Sequence, residues 1–174
     1  EAWAVAEGLN VSRESWTRIS TFVDLLLRWQ QRINLISPAT IPEVWNRHVL
    51  DSLQLLPFMA TRTGPFADLG SGSGFPALPL AIASGREVHL YESNGKKAAF
   101  LEHIVAELGL ADVAVLVARG EALGRQPEHR EQYDVVAARA VAELRVLAEY
   151  LLPLCRVGGR VLAPKGGRID DEIE

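Results

Sequence analysis

The sequence predicts an α/β fold: a mostly parallel sheet with helices on both faces, preceded by an N-terminal helical extension. From residue 66 onward, short apolar runs alternate with helix-length stretches, which is the pattern of right-handed βαβ units. Before residue 61 there is only helical periodicity. A glycine-rich segment directly follows the first of the apolar runs, where a parallel sheet of this kind takes its ligand.

In the extension, Trp16, Ile19, Phe22, Val23, Leu26, Leu27 and Ile33 fall at helical spacing between Ser12 and Ile36. Ser12 is the expected N-cap and Pro38 the stop. Trp16 and Trp29 are expected to pack helices. A second, short helix is expected after Thr40, with Pro42 in its first turn and Glu43 near its positive end. It runs to about Leu53, and Pro57 interrupts the next stretch.

Beyond it, strands are expected at Phe66–Leu69, Glu87–Tyr91, Val113–Val117, Tyr133–Ala137 and Arg160–Ala163. Helices are expected over about Pro76–Ser84, Lys96–Leu108 and Glu143–Leu152. Gly85, Gly109 and the Gly158-Gly159 pair stand where helix ends or turns are needed. Residues 1–60 thus form the extension, and residues 61–174 the ligand-binding part, packed with it as one unit.

Composition narrows the function classes. Of 174 residues, 48% are hydrophobic and 23% charged, the range of a globular domain. One cysteine, Cys155, excludes an internal disulfide and a CxxC-type zinc site. No apolar run has the length of a membrane span, and the start EAWAVAEG lacks a basic region before an apolar stretch. The expectation is a cytoplasmic, metal-independent protein with no membrane partner, monomeric. The net charge of −4 resides in Asp170, Asp171, Glu172 and Glu174; the rest is balanced. Fifteen arginines against three lysines suit phosphate and base contacts, and equally suit an arginine-rich genome.

The strongest motif is Ala67-Asp68-Leu69-Gly70-Ser71-Gly72-Ser73-Gly74-Phe75-Pro76, between a strand and a helix. Glycines there let the backbone approach a ligand closely. At the end of the next strand stands Glu92, placed to accept both hydroxyls of an adenosine ribose. The nicotinamide fingerprint GxGxxG fails in either register, since its third glycine would fall at Phe75 or at Ala77. What remains, GxGxG preceded by an acid, resembles motif I of the class I S-adenosylmethionine (SAM)-dependent methyltransferases, which have a Rossmann-like sheet. In that reading Asp68 and the loop face the cationic methionine end of SAM.

The methyl acceptor is narrowed by what is missing. After the fourth strand an N6-adenine or N4-cytosine enzyme would carry Pro-Pro-aromatic; here the chain reads Tyr133-Asp134-Val135-Val136-Ala137-Ala138-Arg139-Ala140. A C5-pyrimidine enzyme needs a cysteine nucleophile, and Cys155 before the Gly158-Gly159 turn reads as a small buried filler. That leaves an acceptor that is already nucleophilic, or a base that the sequence does not single out.

Several strings then identify a resemblance spanning nearly the whole chain after residue 20. They are Arg32-Ile33-Asn34-Leu35-Ile36-Ser37, Arg47-His48-Val49-Leu50-Asp51-Ser52, the glycine loop through Pro79, and Glu92-Ser93 with Lys96-Lys97 and Phe100-Leu101. Arg119-Gly120-Glu121, Ala138-Arg139-Ala140 and Lys165-Gly166 complete the set. Together they resemble the small-subunit ribosomal RNA methyltransferase G family, also called the glucose-inhibited division protein B family. The resemblance implies transfer of a methyl group from SAM to N7 of one guanine in the 530 loop of bacterial 16S rRNA, with 16S rRNA or a small-subunit precursor as partner. Guanine N7 carries a free lone pair and no proton, so no general base is required.

By the same resemblance, Asp68, Gly70, Gly72, Gly74 and Phe75 line the methionine and ribose side of SAM. Glu92 and Ser93 hold the ribose, and Gly120 and Glu121 lie near the adenine. Arg139 faces the methyl-transfer site as the catalytic residue and is also counted among the cofactor-binding residues. Lys96, Lys97, Arg119 and Lys165 are the expected RNA contacts. His48 and Asp51 share a helix face and have two readings: a hydrogen-bonded cluster that fixes the N-terminal helices, or a contact with the cofactor loop or the RNA. Methyltransferases of this fold usually end in an antiparallel strand pair, which is expected to be missing from this chain; it also begins without methionine. Two alternatives stand beside the main reading: a SAM-dependent methyltransferase for another RNA site or a small molecule, and a SAM- or nucleotide-binding regulatory module without transfer activity.

Overall fold

The structure, a computed structural model, describes residue 9, residues 11–139 and residues 143–164, apart from the side chain of Glu121. Five parallel strands form one sheet in the order β3-β2-β1-β4-β5. They are β1 Phe66–Leu69, β2 Val88–Glu92, β3 Val113–Val117, β4 Tyr133–Ala137 and β5 Cys155–Leu162. The strand order reverses between β1 and β4, and the crevice outside the carboxyl ends at such a point is where open α/β sheets bind ligands.

Side-chain alternation divides the core. Phe66, Val88, Leu90 and Val135 face one layer, which contains α1 (Arg13–Gln30), α4 (Ala77–Ser84) and α5 (Gly95–Glu107). Ala67, Leu69, Tyr91 and Val136 face the other, built from α6 (Gly120–Leu123) and α7 (Leu144–Leu151). Helix α1 belongs to the first core through Trp16, Ile19, Phe22, Val23 and Leu26, so the N-terminal helix and the sheet share one apolar cluster. Trp16 and Trp29 pack as expected, Trp29 edge-on to Phe100 with ring centroids 5.7 Å apart. On the second face the Tyr91 and Tyr133 hydroxyls bond each other at 2.5 Å and reach His129 and His89 at 2.9 and 2.7 Å. Burial pushes both phenols upward in pKa.

Three expectations are corrected. Helix α1 starts after its Ser12 cap but ends at Gln30, not Ile36. The Gln30 amide takes over: its oxygen accepts the N–H groups of Leu35 and Ile36, and its nitrogen donates to the Ile36 carbonyl. The single helix from Thr40 to Leu53 is three pieces: a 3₁₀ stretch Pro38–Glu43, a π-helical stretch Trp45–Leu50 and a turn α2 (Asp51–Leu53). Pro42 has no N–H for an α ladder, and the Asp51 N–H reaches back to the Asn46 carbonyl, widening the turn. The next turn, α3, is Leu56–Met59. Lastly, the Gly158-Gly159 pair lies within β5 as a bulge: Cys155 pairs Tyr133, then Arg160 pairs Val135. Gly158 takes φ +76 there, and Cys155 is half-buried.

Candidate functional site

The loop from β1 into α4 is fastened on both sides. The Gly70 and Ser71 N–H groups donate to the Tyr91 carbonyl of β2 at 2.8 and 3.1 Å, and the Ser71 hydroxyl donates to the Asp68 carbonyl. Glycine is required at two points. Gly72 has φ +50, a conformation that side chains rarely adopt; a would-be Cβ would touch the Gly70 carbonyl at 3.6 Å and the Glu92 carboxylate at 3.8 Å, so the backbone itself lies bare in this cradle. Gly74 has φ +85, and a Cβ there would run into the Leu78 side chain.

Glu92 closes β2 and is buried. Its carboxylate accepts the Gly72 N–H at 2.8 Å and the Asn94 N–H at 2.7 Å. It therefore fixes the loop, with lone pairs left for further donors. Asn94 in turn caps α5 through the N–H groups of Lys96 and Lys97. Lys96 is exposed, whereas the Lys97 ammonium comes within 4.0 Å of where a Gly72 side chain would begin. Beyond the loop, Leu69 and Gly70, Ser93, the segment Ala118-Arg119-Gly120 and Tyr150 of α7 surround a cavity of about 250 Å³. Ser93, Arg119 and Gly120 are thus brought together. The Glu121 side chain and Lys165 lie outside the described residues.

Asp68 is the electrostatic oddity. It is 1% exposed, and its Oδ2 has no hydrogen-bond partner among the described residues. Burial, opposed by Ser71 and Arg139 and aided by Glu92, pushes its carboxyl up to about 7. A buried acid with an unfilled oxygen beside a bare-backbone cradle and an adjoining cavity fits a ligand with a cationic end and an adenosine end. SAM has that chemistry, and Asp68, Gly72, Glu92 and the segment around Gly120 fit it.

Arg139 follows β4 at the same edge. Its Nη2 donates to His48 Nδ1 at 2.5 Å, and its guanidinium carbon lies 5.8 Å from the Phe75 ring centroid. Because arginine only donates, His48 must accept on Nδ1 and carry its proton on Nε2. That proton points to Thr40 Oγ1 at 2.9 Å, and the Thr40 hydroxyl donates to the Ser37 carbonyl. Burial, Arg139 and Arg47 lower His48 to about 4, consistent with a neutral ring. His48 also stacks on Phe75, with centroids 5.1 Å apart, and Phe22 of α1 contacts that ring from another side at 5.1 Å. Phe75 is therefore buried between the extension and the loop. Both sequence readings of His48 meet here: it ties the N-terminal segment down and touches the loop and Arg139. Burial lowers the guanidinium pKa, against Asp51 and Asp68, which stabilise its charge.

A second cavity, about 560 Å³, opens beside this cluster and is lined by Thr40, Arg47, His48, Asp51, Phe58 and Arg139, among others. Arg47, Thr40, Phe58 and Tyr150 were not singled out by sequence. Arg47 sits within the Arg-His-x-x-Asp-Ser string, which was the available signal; the other three are placed only by tertiary packing.

A family model described as rRNA small subunit methyltransferase G matches residues 16–174. The chain belongs to that family. The rRNA small subunit methyltransferase G of Roseiflexus castenholzii is 52% identical over 171 residues, covering 98% of this chain and 73% of that protein. The same-named protein of Chloroflexus aggregans is 49% identical over 169 residues, 97% of this chain and 71% of its own. The fold is that of solved methyltransferases. A geranyl diphosphate methyltransferase in complex with SAM superposes with TM-score 0.56 at 20% identity, over 66% of this chain and 48% of its own. The glycopeptide N-methyltransferase MtfA complexed with SAM gives 0.55 at 17% identity, over 66% and 53%. Among the described residues, no helix is long and apolar enough to cross a membrane, and no group of acidic, histidine or cysteine side chains is placed to hold a metal.

Proposed function

We propose that this protein transfers the methyl group of SAM to N7 of one guanine in the 530 loop of bacterial 16S rRNA, presented on RNA or on a small-subunit particle. The observation that carries the reading is the position of Arg139, over the Phe75 ring of the glycine loop on one side and on the wall of the larger cavity on the other. SAM, when bound, supplies an electrophilic methyl. Asp68 holds its cationic end, Gly70, Gly72 and Gly74 give it bare backbone, Glu92 and Ser93 take the ribose, and the segment at Gly120 borders the adenine. Arg139 orients the base, and Phe75 fixes Arg139 from below. Lys96 and Arg119 contact RNA from the exposed edge.

His48 supports an acceptor that needs no base. Its Nδ1 is occupied by Arg139 and its Nε2 proton by Thr40, so it is not poised to take a proton. Labelled methyl transfer to small subunits from cells lacking this protein, followed by nucleoside identification, is expected to give 7-methylguanosine alone. With SAM saturating, the single-turnover rate is expected to be nearly flat across neutral pH. Another methylated nucleoside, or a rate rising tenfold per pH unit, rejects the reading.

Cofactor binding has its own test. Asp68 is partly protonated near neutrality in the free protein. A cation placed against it favours the carboxylate, so SAM binding releases protons in the pH range below about 7, and the release fades as alkaline pH ionises Asp68 beforehand. Calorimetry in two buffers of different ionisation enthalpy measures this directly. In the same titration Glu92→Ala is expected to lose about 1.5–3 kcal/mol of SAM affinity, the range for hydrogen bonds to a charged group.

A further inference from the structure

The sequence left Asp51, like His48, between a hydrogen-bonded cluster and a contact with the cofactor loop or the RNA; it is the one acid lining the larger cavity among the described residues. No donor among the described residues bonds its carboxylate; it acts on Arg139 through space. Arg47, its other basic neighbour on this wall, is turned toward Glu43 at 3.9 Å. The cavity also carries a flat apolar ring, Phe58, which is 51% exposed although large and hydrophobic. The Phe58 carbonyl is anchored by Arg160 at 2.8 Å, so the ring sits on a tethered turn. A free carboxylate, a guanidinium and an exposed aromatic ring around one cavity are the parts used to hold an unstacked base: stacking on the ring, hydrogen bonds at the edges.

We infer that this cavity is the acceptor-base pocket and that Asp51 reads the guanine there, its carboxylate accepting the N1–H and one N2–H. This rests on the proposed guanine methylation and names the residue that sets its base specificity. The geometry is consistent with the chemistry. N1 and N2 lie on the Watson–Crick edge, across the ring system from N7, so a base gripped by Asp51 turns N7 away from it. Arg139, which lies over the Phe75 ring of the glycine loop and lines the same cavity as Asp51, then stands between the gripped edge and the glycine loop. Adenine offers an acceptor at N1 where guanine offers a donor, so the carboxylate would repel it; this is discrimination by an unpaired contact and not by size. Inosine keeps N1–H but lacks the N2 amino group, and so keeps half of the contact.

The test uses the full chain saturated with S-adenosylhomocysteine and titrated with GMP, IMP and AMP, followed by chemical-shift changes. Wild type is expected to bind GMP roughly tenfold or more tighter than AMP, with IMP between them. Asp51→Asn, at an exposed position where folding is not at stake, is expected to bring the three within about twofold of one another, the loss of a paired contact at each edge atom. Affinity for S-adenosylhomocysteine is expected to stay the same in both proteins. Retention of the GMP preference by Asp51→Asn, equal binding of all three nucleotides by wild type, or no GMP binding by wild type each overturns the inference. Wild-type methylation of small subunits is run alongside. Formation of 7-methylguanosine without a GMP preference fails this inference alone, whereas a GMP preference without 7-methylguanosine fails the proposed reaction and leaves the pocket standing.

Discussion

Arg139→Lys is expected to lower the single-turnover methylation rate nearly as far as Arg139→Ala, roughly a hundredfold or more, the scale on which misplacing a reacting group acts. The reason is geometric. The guanidinium spends one nitrogen on His48 at 2.5 Å while lying over Phe75. A planar fork can do both and still present donors to a base. A lysine ammonium is a point charge on a flexible stem, and it satisfies either the imidazole or the base, not both. Coulombic attraction to Asp51 and Asp68 survives in the lysine variant, so a largely active Arg139→Lys would mean that charge alone is needed, and the orienting role would fall. His48→Phe separates positioning from contact. It keeps the stack on Phe75 and removes the acceptor at Nδ1, so kcat is expected to fall by about tenfold, with the KM for SAM unchanged. Thermal melts of the two Arg139 variants are expected to stay near wild type, since Arg139 follows β4 at the carboxyl edge and is only half-buried; His48 is buried against the core ring Phe75, so the melt of His48→Phe is measured beside its rate.

How much of this site was legible in the sequence depends on whether the information is local. Strands β3 and β4 and the glycine loop are written in contiguous residues, and they stand where expected. Glu92 was legible for the same reason, as an acid ending an apolar strand. The end of α1 was not: the chain leaves the helix after Gln30, whose amide accepts the N–H groups of Leu35 and Ile36, a choice invisible to periodicity. The π-helical turn at Trp45–Leu50, where the Asp51 N–H reaches back to the Asn46 carbonyl, is equally invisible to periodicity. His48 and Arg139 are 91 residues apart in the chain, and the sequence supplies both residue types without saying that they meet. Glu92 carried a similar surprise: the residue expected to bind ribose first of all pins Gly72.

Asp134→Ala is expected to cost about 3–5 kcal/mol of stability, the effect of breaking a buried ion pair by removing one partner. Asp134 is 0% exposed at the start of β4, within an otherwise apolar strand. Its Oδ2 accepts the Gly64 N–H at 2.6 Å and lies 4.0 Å from the Arg86 guanidinium; its Oδ1 pairs with Arg156. Arg86 also donates to the Gly64 carbonyl, so the acid and the base clamp the chain just before β1. Gly64 must lack a side chain, because a Cβ there would lie 2.7 Å from the carboxylate carbon. Arg86 is itself largely buried, its side chain 10% exposed, and burial lowers its pKa while Asp134 opposes the shift. Without Asp134 that charge stands unpaired in the interior. For a chain of this size each kcal/mol is worth roughly 2–4 °C in melting temperature, so a fall on the order of 10 °C is expected. Asp134→Asn keeps an acceptor for Gly64 and loses only the charge, and a smaller fall is expected. The cluster lies at the amino ends of the strands, across the sheet from the cofactor crevice. SAM affinity of the folded variant, titrated well below its melting temperature, is therefore expected to equal that of wild type. A stable Asp134→Ala protein would show that Arg86 finds water or another acceptor; a stable fold with weakened SAM binding would show that the two ends of β4 are coupled.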